Sequence, residues 1–539
     1  MGTCPERAER VLHSALAEHP PESVAVSSSG TERTITYGEL EMRSTLIARW
    51  LEQVSVRPGD RVALYHLRTA ELIAALYGVL KAGGAYVPID IFAPPARARR
   101  LVEDCRPKAI VTDRGRLNAL CQEGLIVASG IPALLLGEGE TGAGQEHPLE
   151  VVPGADSPTL AQCPLPQDPA YILYTSGSTG FPKGVVHSHS SALTFVEWAQ
   201  RRFRVSRADR VAGYSPLHFD LSTFDLFATA LAGAELVLMR ESDRRSPAAL
   251  VQFLVSSRIT ILYAVPTVLL KLLLAPNRSE LPGELRLILF AGEVFPVTEL
   301  KRLHELMPQV ELFNLYGPTE TNVCTYHEVS MSDLSCSRPL PIGKPCSYAS
   351  LTAVGPNGVT APPETGVEFE LGIEGESVML GYWSPRDGIV NGCFGSGEGT
   401  SPERRIYASG DICRLGTDGR LLFLGRRDRM VKLLGQRIEL AEIEHAVLLD
   451  RRIAEAAALA EPEGAQAEHL AVYFVVHEGI ALDIRDLRRH LLKTLPRSWM
   501  PDRLKPLPSL PRTSGGKIDY AVLREQARAE AVTQGEAHL

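Results

Sequence analysis

YILYTSGSTGFPKGVVH (171–187) begins as an apolar, aromatic run and breaks into Thr175, Ser176, Gly177, Ser178, Thr179 and Gly180, then Lys183. The pattern predicts a buried strand feeding a loop of unscreened backbone N–H groups, hydroxyl donors and one ammonium, the groups that wrap a triphosphate. It is not a Walker A loop, because no GxxxxGK[ST] is present. A Ser/Gly surface turn is the bland alternative, and so many small or hydroxyl-bearing residues directly after a buried strand argue against it.

Outward from this loop one rhythm fills roughly the first 430 residues: a short β-branched or aromatic run, a Gly- or Pro-rich turn, then apolar residues three and four apart. RVALYHL (61–67) precedes TAELIAALYGVLKAG (69–83), AYVPID (85–90) precedes ARARRLVEDC (96–105), and TILYAVP (260–266) precedes TVLLKLLLA (267–275). The fold class is therefore α/β, layered around largely buried sheets. No period of 20–50 residues recurs, which excludes a solenoid or propeller. SPRDGIVNGCFGSGEGTSPERR (384–405) loses periodicity and reads as a surface loop. The domain boundary is expected near 428, within GRRDRMVKLLG (425–435). A small α+β unit follows: strand, hairpin, the helix ELAEIEHAVLLD, the strand AVYFVV and the helix IRDLRRHLLKTL. The chain thus divides into a large N-terminal domain, 1–427, and a small C-terminal domain, 428–539. Only 22 residues follow Lys517, too few for another folded module.

Composition closes several functional classes. The 539 residues, 45 % apolar and 22 % charged, suit a folded chain of two to four domains. Lys and Arg total 56 against 64 Asp and Glu, a net charge of -8 with the basic residues dispersed. A nucleic acid or an anionic membrane has no electrostatic footprint here. Nine cysteines form no CxxC pair and no zinc spacing, as expected for buried thiols in a reducing cytosol. The N-terminus has no apolar signal segment, and Glu6 stands where a myristoylation signal needs Ser or Thr. ILYAVPTVLLKLLLA is interrupted by Pro266 and Lys271, short of a span of about 20 residues. A soluble cytoplasmic protein is expected. Two decoys are set aside: GEGETG (137–142) carries acids that repel a pyrophosphate, and HSHS (187–190) reads as packing or hydroxyl hydrogen bonds rather than a metal site.

Five further segments give the loop a context. LKAGGAYVPID (80–90), FNLYGPTE (313–320), YASGD (407–411), GRRDRMVKLLGQRIEL (425–440) and PRTSGGKID (511–519) stand in order around it. Together they resemble the adenylate-forming enzymes, and specifically the amino-acid adenylation domains of non-ribosomal peptide synthesis. The resemblance covers nearly the whole chain and departs at GVEFELGIEGESVMLGYW (366–383), where the family usually has a Gly-Glu-Leu start. It implies a large domain of layered sheets and helices with a small mobile C-terminal α+β domain, and it implies ATP and Mg²⁺.

Roles follow by resemblance, residue by residue. Thr175 to Gly180 and Lys183 match the phosphate contacts. Asn314 and Tyr316 match the adenine positions, with Gly292 at the pocket floor and Thr319 a further ATP contact. Glu320 matches the Mg²⁺ ligand, for which a carboxylate among phosphates is chemically suited; its alternative is a capping Glu. Asp411 matches the acceptor of the ribose hydroxyls, and Arg426 a second ribose or phosphate contact. Asp411 alone could be a turn residue. Lys517, by itself a surface charge, matches the mobile catalytic lysine that bridges substrate carboxylate and α-phosphate. Asp428 matches the hinge, and the VKLLGQR loop with Gly435 matches the segment that replaces Lys517 for thiolation.

Family alignment places the substrate pocket at Asp220, Leu221, Phe224, Tyr263, Leu289, Ala291, Leu315, Val323 and Cys324. Asp220 is the one charge in an apolar set, and its expected partner is an α-ammonium; the alternative is a cap on a helix beginning near Ser222. The set is similar to that of free-standing proline-activating ligases, which implies L-proline or another small apolar amino acid, loaded onto a peptidyl carrier protein in trans. An acyl- or aryl-CoA ligase is the second enzyme reading, disfavoured by Asp220. A catalytically dead scaffold is the third, disfavoured by the intact loop, Glu320, Asp411 and Lys517.

Overall fold

The strand and helix rhythm produces two large sheets, of nine and eight strands, with helices between their strands in the sequence. The structure is a computed structural model that describes residues 10–30, 34–124, 130–137, 163–177, 181–335, 338–355, 358–390, 392–393, 405–461, 467, 469–512 and 517–535. Contacts divide the chain into two compact units. The larger holds Met1–Ile91, Ala98–Tyr174 and Gly184–Arg427, and the smaller holds Phe92–Arg97, Thr175–Lys183 and Asp428–Leu539. Two short segments of the first 427 residues, one of them the Ser/Gly-rich loop expected to hold phosphates, thus group with the C-terminal part.

In the larger unit a nine-stranded sheet is parallel through its centre, with Val24–Ser28, Glu235–Leu238, Arg210–Gly213, Ile261–Ala264, Leu287–Phe290 and Glu311–Tyr316 side by side. Its central strands are buried on both faces, which is why they read as continuous apolar runs. An eight-stranded sheet includes Arg61–Tyr65, Ala85–Pro88 and Pro169–Thr175. The helix Ala70–Lys81, capped by the Thr69 side chain, is buried along nearly its whole length between strand layers. A five-stranded antiparallel sheet contains Glu368–Gly375, Ile406–Leu415 and Leu421–Arg426. The segment expected to be a featureless loop at 384–405 differs from that reading: Gly388–Val390 forms a strand paired with Gly381–Ser384. Residues 391 and 394–404, and GEGETG beyond Gly137, lie outside the described residues.

The smaller unit has the expected hairpin, Met430–Leu433 with Gln436–Glu439, followed by the helix Leu440–Leu448. It also has two strands that the sequence reading passed over, Ile453–Glu461 and Arg503–Pro506, which flank His469–Val476. The helix Tyr520–Gly535 is pinned where the Arg429 guanidinium lies 3.5 Å over the Tyr520 ring and Glu444 accepts from both residues. Among the described residues every cysteine is free. No described helix is long and apolar enough to cross a membrane.

Candidate active site

The strand Glu311–Tyr316 carries candidate site residues on both of its faces. Register sets Tyr263 beside Leu289 and Leu289 beside Phe313. Because side chains alternate along a strand, Tyr263, Leu289 and Leu315 share one face, and Ala291 continues the row past its strand end. Phe224 closes against this face, its ring centroid 5.7 Å from that of Tyr263 and nearly perpendicular to it. Leu221 and Val323 are buried in the same core cluster, whereas Cys324, expected in the same pocket, is buried in a separate cluster with Tyr316 and Cys413.

Asn314 and Tyr316 alternate to the opposite face. Asn314 Nδ2 donates to the Pro341 carbonyl at 2.8 Å. The Tyr316 hydroxyl donates to one oxygen of Asp411, and Arg426 Nη1 donates to the other. Asp411 and Arg426 meet because they are direct partners across the antiparallel pair Ile406–Leu415 and Leu421–Arg426. Arg426 also reaches the Ser409 carbonyl at 3.0 Å, so the buried cluster is fixed to its own sheet. A carboxylate has about four acceptor sites, which leaves Asp411 capacity for hydroxyl donors beyond these two partners.

A tight loop joins this strand to Thr325–Glu328. A Cβ on Gly317 would stand 1.9 Å from the Asn322 carbonyl oxygen, so only glycine fits. Cys324 N closes the loop by donating to the Tyr316 carbonyl at 2.8 Å. The loop presents Thr319 and Glu320. Thr319 Oγ1 donates to Asp220 Oδ2 at 3.0 Å, which ties the loop to the residue expected to hold an ammonium. Asp220 is half-buried before the short turn Leu221–Thr223 and makes no side-chain helix cap, which removes the capping alternative. Glu320 is buried, and its Oε1 accepts from the Tyr382 hydroxyl at 2.9 Å.

His187 lies against the same loop. Its Nε2 donates to the Thr319 carbonyl at 2.8 Å, and Nδ1 faces the Ser191 hydroxyl at 3.0 Å and the Asn322 amide at 3.3 Å. The ring stacks on Tyr171, and burial pulls the imidazole down to about 4, so it is neutral when it holds the Thr319 loop. Packing and hydroxyl bonds account for HSHS as expected. His187 lies in the strand Lys183–Ser188, and His189 begins the helix His189–Arg202.

In the smaller unit Thr175 ends the apolar strand, and Ser176 Oγ donates to the Arg437 carbonyl at 2.8 Å while accepting from Glu439 N at 3.0 Å. A Cβ on Gly177 would meet the Phe181 carbonyl oxygen at 1.8 Å, so only glycine fits there. Ser178, Thr179 and Gly180 lie outside the described residues, and Lys183 opens the next strand. Gly292, at φ 90°, turns the chain after Leu287–Phe290. Asp428 accepts from Met430 N at 3.3 Å. Leu434 and Gly435, at φ 52° and 75°, form the two-residue turn of the hairpin. Lys517 is exposed beside Ile518, which bridges to Arg512; Thr513 to Gly516 lie outside the described residues.

Comparison with known proteins gives matches over nearly the whole chain. The sequence model of the AMP-binding enzyme matches residues 12–383, and that of the AMP-binding enzyme C-terminal domain matches residues 442–517. An L-proline--[L-prolyl-carrier protein] ligase of Pseudomonas fluorescens is 37 % identical over 96 % of this chain and 98 % of its own length. A ligase of the same name from Streptomyces coelicolor is 38 % identical over 95 % of both. The structure of the Vibrio cholerae adenylation domain AlmE with glycyl-adenosine-5'-phosphate superimposes with a TM-score of 0.76 at 25 % identity, covering 98 % of this chain and 100 % of that one. The fold, the two family matches and the near full-length relatives lead to one conclusion: the chain belongs to the AMP-binding enzyme family.

Proposed function

We propose that this chain activates L-proline with ATP and loads it onto the thiol of a separate peptidyl carrier protein. The observation that carries the amino-acid reading is Asp220, a carboxylate steadied by Thr319 beside the apolar face of Phe224, Tyr263, Leu289 and Leu315. An α-ammonium carries a full positive charge and several N–H donors, which a carboxylate at the edge of an apolar wall is suited to accept. The apolar wall offers no acid or base to a charged side chain and suits a small ring. The two ligase relatives, matched over nearly their full lengths, support proline and a carrier in trans.

In the first half-reaction a proline carboxylate oxygen attacks the α-phosphorus of ATP, the bond to the bridging oxygen breaks, and pyrophosphate leaves. In this reading Thr175 to Gly180 and Lys183 hold the phosphates, Thr319 adds a contact, and Asn314 and Tyr316 hold adenine above Gly292. Asp411 and Arg426 take the ribose. Glu320, a buried carboxylate, would hold Mg²⁺ through oxygen, the donor type this ion takes alongside substrate phosphates. Mg²⁺, when bound, neutralises phosphate charge. Lys517 donates to the attacking carboxylate and an α-phosphate oxygen, where charge grows most in the transition state. In the second half-reaction the carrier thiol attacks the acyl carbonyl and AMP leaves with the electrons of the acyl–oxygen bond. The 428–539 domain turns about Asp428 against 1–427, withdrawing Lys517 and bringing in the loop of Gly435. The reaction belongs in the cytoplasm.

The test is to incubate the chain with ATP, Mg²⁺, labelled L-proline and a phosphopantetheinylated carrier. Label bound to the carrier and released by hydroxylamine supports the reading; proline-dependent AMP release without carrier labelling contradicts the transfer step.

A further inference from the structure

A buried polar cluster lies behind the substrate-facing turn, and none of the roles above uses it. Arg68 follows the strand Arg61–Tyr65, with its side chain 6 % exposed, and its Nη1 donates to the Ser215 carbonyl. Asp225, 2 % exposed, accepts from Ser215 N through Oδ2 at 3.2 Å. Ser215 Oγ donates to the Tyr263 carbonyl at 3.4 Å. One residue is thus held from three sides: by Arg68 at its carbonyl, by Asp225 at its amide, and by strand Ile261–Ala264 at its hydroxyl. Five residues on, the same loop delivers Asp220.

The cluster is held at a cost. Asp225 Oδ1 and Arg68 Nε and Nη2 have no hydrogen-bond partner among the described residues, although both side chains are buried. Buried polar atoms are rarely left so, and an apolar replacement of similar volume is often the more stable choice. Burial raises the Asp225 carboxyl to about 8 despite Arg68, Arg244 and the Ser215 amide. Glu241, 2.9 Å from Arg244 and 3.9 Å from Arg68, and Tyr214, under the Arg244 guanidinium, complete the surroundings. The backbone is irregular at the same point: Phe224–Ala228 is a π-helical turn, a distortion frequent at functional sites, and Phe224 at its head faces Tyr263.

We propose that Arg68, Ser215 and Asp225 form a positioning unit that fixes the spacing between the Asp220 carboxylate and the Phe224–Tyr263 wall, and so sets the size of amino acid accepted. The unit touches no reacting atom and acts through Asp220, Phe224 and Tyr263. It rests on the amino-acid reading above and deepens it. Its loss therefore weakens amino-acid binding and blurs the choice between side chains of different size, while ATP binding is untouched.

The experiment measures amino-acid-dependent ATP–pyrophosphate exchange, using whichever amino acid the unaltered chain exchanges fastest. Asp225→Ala and Arg68→Met should each raise the amino-acid KM about tenfold, the scale of one lost hydrogen bond to a positioned group, with kcat and the ATP KM within threefold. Both should narrow the ratio of kcat/KM between proline and valine. Asp225→Asn, which keeps an acceptor for the Ser215 amide and mimics the neutral carboxyl, should restore near-normal KM. Should Asp225→Ala not fold, Ser215→Ala carries the same test by removing only the bond to Tyr263. An unchanged amino-acid KM and selectivity in a folded variant overturns the proposal, as does a parallel rise in the ATP KM. No exchange by the unaltered chain with any amino acid overturns the functional reading, and the proposal with it.

Discussion

Replacing Asp220 with alanine should remove most amino-acid activation. The carboxylate is half-buried, accepts from Thr319 at 3.0 Å and stands beside Phe224, Tyr263, Leu289 and Leu315. Without it the substrate ammonium faces an apolar wall. Breaking a fully buried ion pair costs about 3–5 kcal/mol, and an exposed pair is worth about 0–1 kcal/mol. Partial burial places Asp220→Ala between these limits, at about 2–4 kcal/mol, or about 30- to 900-fold in kcat/KM. Asp220→Asn keeps the shape and the Thr319 contact but loses the charge, and should cost about 1.5–3 kcal/mol. Thr319→Val removes one neutral donor and should cost about 0.5–1.5 kcal/mol. Exchange of labelled pyrophosphate into ATP, driven by proline at saturating ATP, reads all three. An Asp220→Ala enzyme within threefold of the unaltered one refutes the assignment of Asp220 to the ammonium.

Lys517→Ala should lower adenylation by about 10²–10³-fold, while carrier loading from supplied prolyl-AMP survives; equal loss of both half-reactions in paired single-turnover assays contradicts the role. Leu434 holds a left-handed conformation at the exposed hairpin tip, so Leu434→Asn should stabilise the smaller unit by about 1 kcal/mol in urea unfolding, and a lowered midpoint counts against the turn assignment. Burial lowers His13, His187 and His189 to about 3, 4 and 3, against 6.5 in the unfolded chain. Below pH 6.5 the unfolded state therefore binds protons that the folded state refuses, and stability falls as pH drops toward 4. Asp225, raised to about 8, acts in the opposite sense, since it holds a proton when folded and loses it when unfolded. Asp225→Asn should thus steepen the fall in urea midpoint between pH 6.5 and 5, and a dependence unchanged by the substitution contradicts the buried acid.

The layered α/β fold was legible because its strands and helices carry strong, distinct periods: Arg61–Tyr65 and Ala70–Lys81 fall where RVALYHL and TAELIAALYGVLKAG predict them. Ile453–Glu461 was not legible. IAEAAALAE favours a helix by propensity, yet Ala456, Ala457 and Ala458 are buried in a strand paired with His469–Val476, and pairing overrides that preference. The site residues on Glu311–Tyr316 were legible as a motif. The pairing of Asp411 with Arg426 was not, because it depends on the register of a hairpin rather than on either residue's neighbours. The Arg68–Ser215–Asp225 cluster escaped for a related reason: a buried polar side chain far along the chain from its partner leaves no local signature.

The most direct test of the central claim is a panel of the proteinogenic amino acids, with pipecolate and azetidine-2-carboxylate, in ATP–pyrophosphate exchange. The account predicts that L-proline exchanges fastest. The two ring homologues and valine should trail by about 10- to 200-fold, because one methylene in an apolar pocket is worth about 1–3 kcal/mol. Another amino acid exchanging faster than proline contradicts the substrate, and no exchange with any of them contradicts amino-acid adenylation itself.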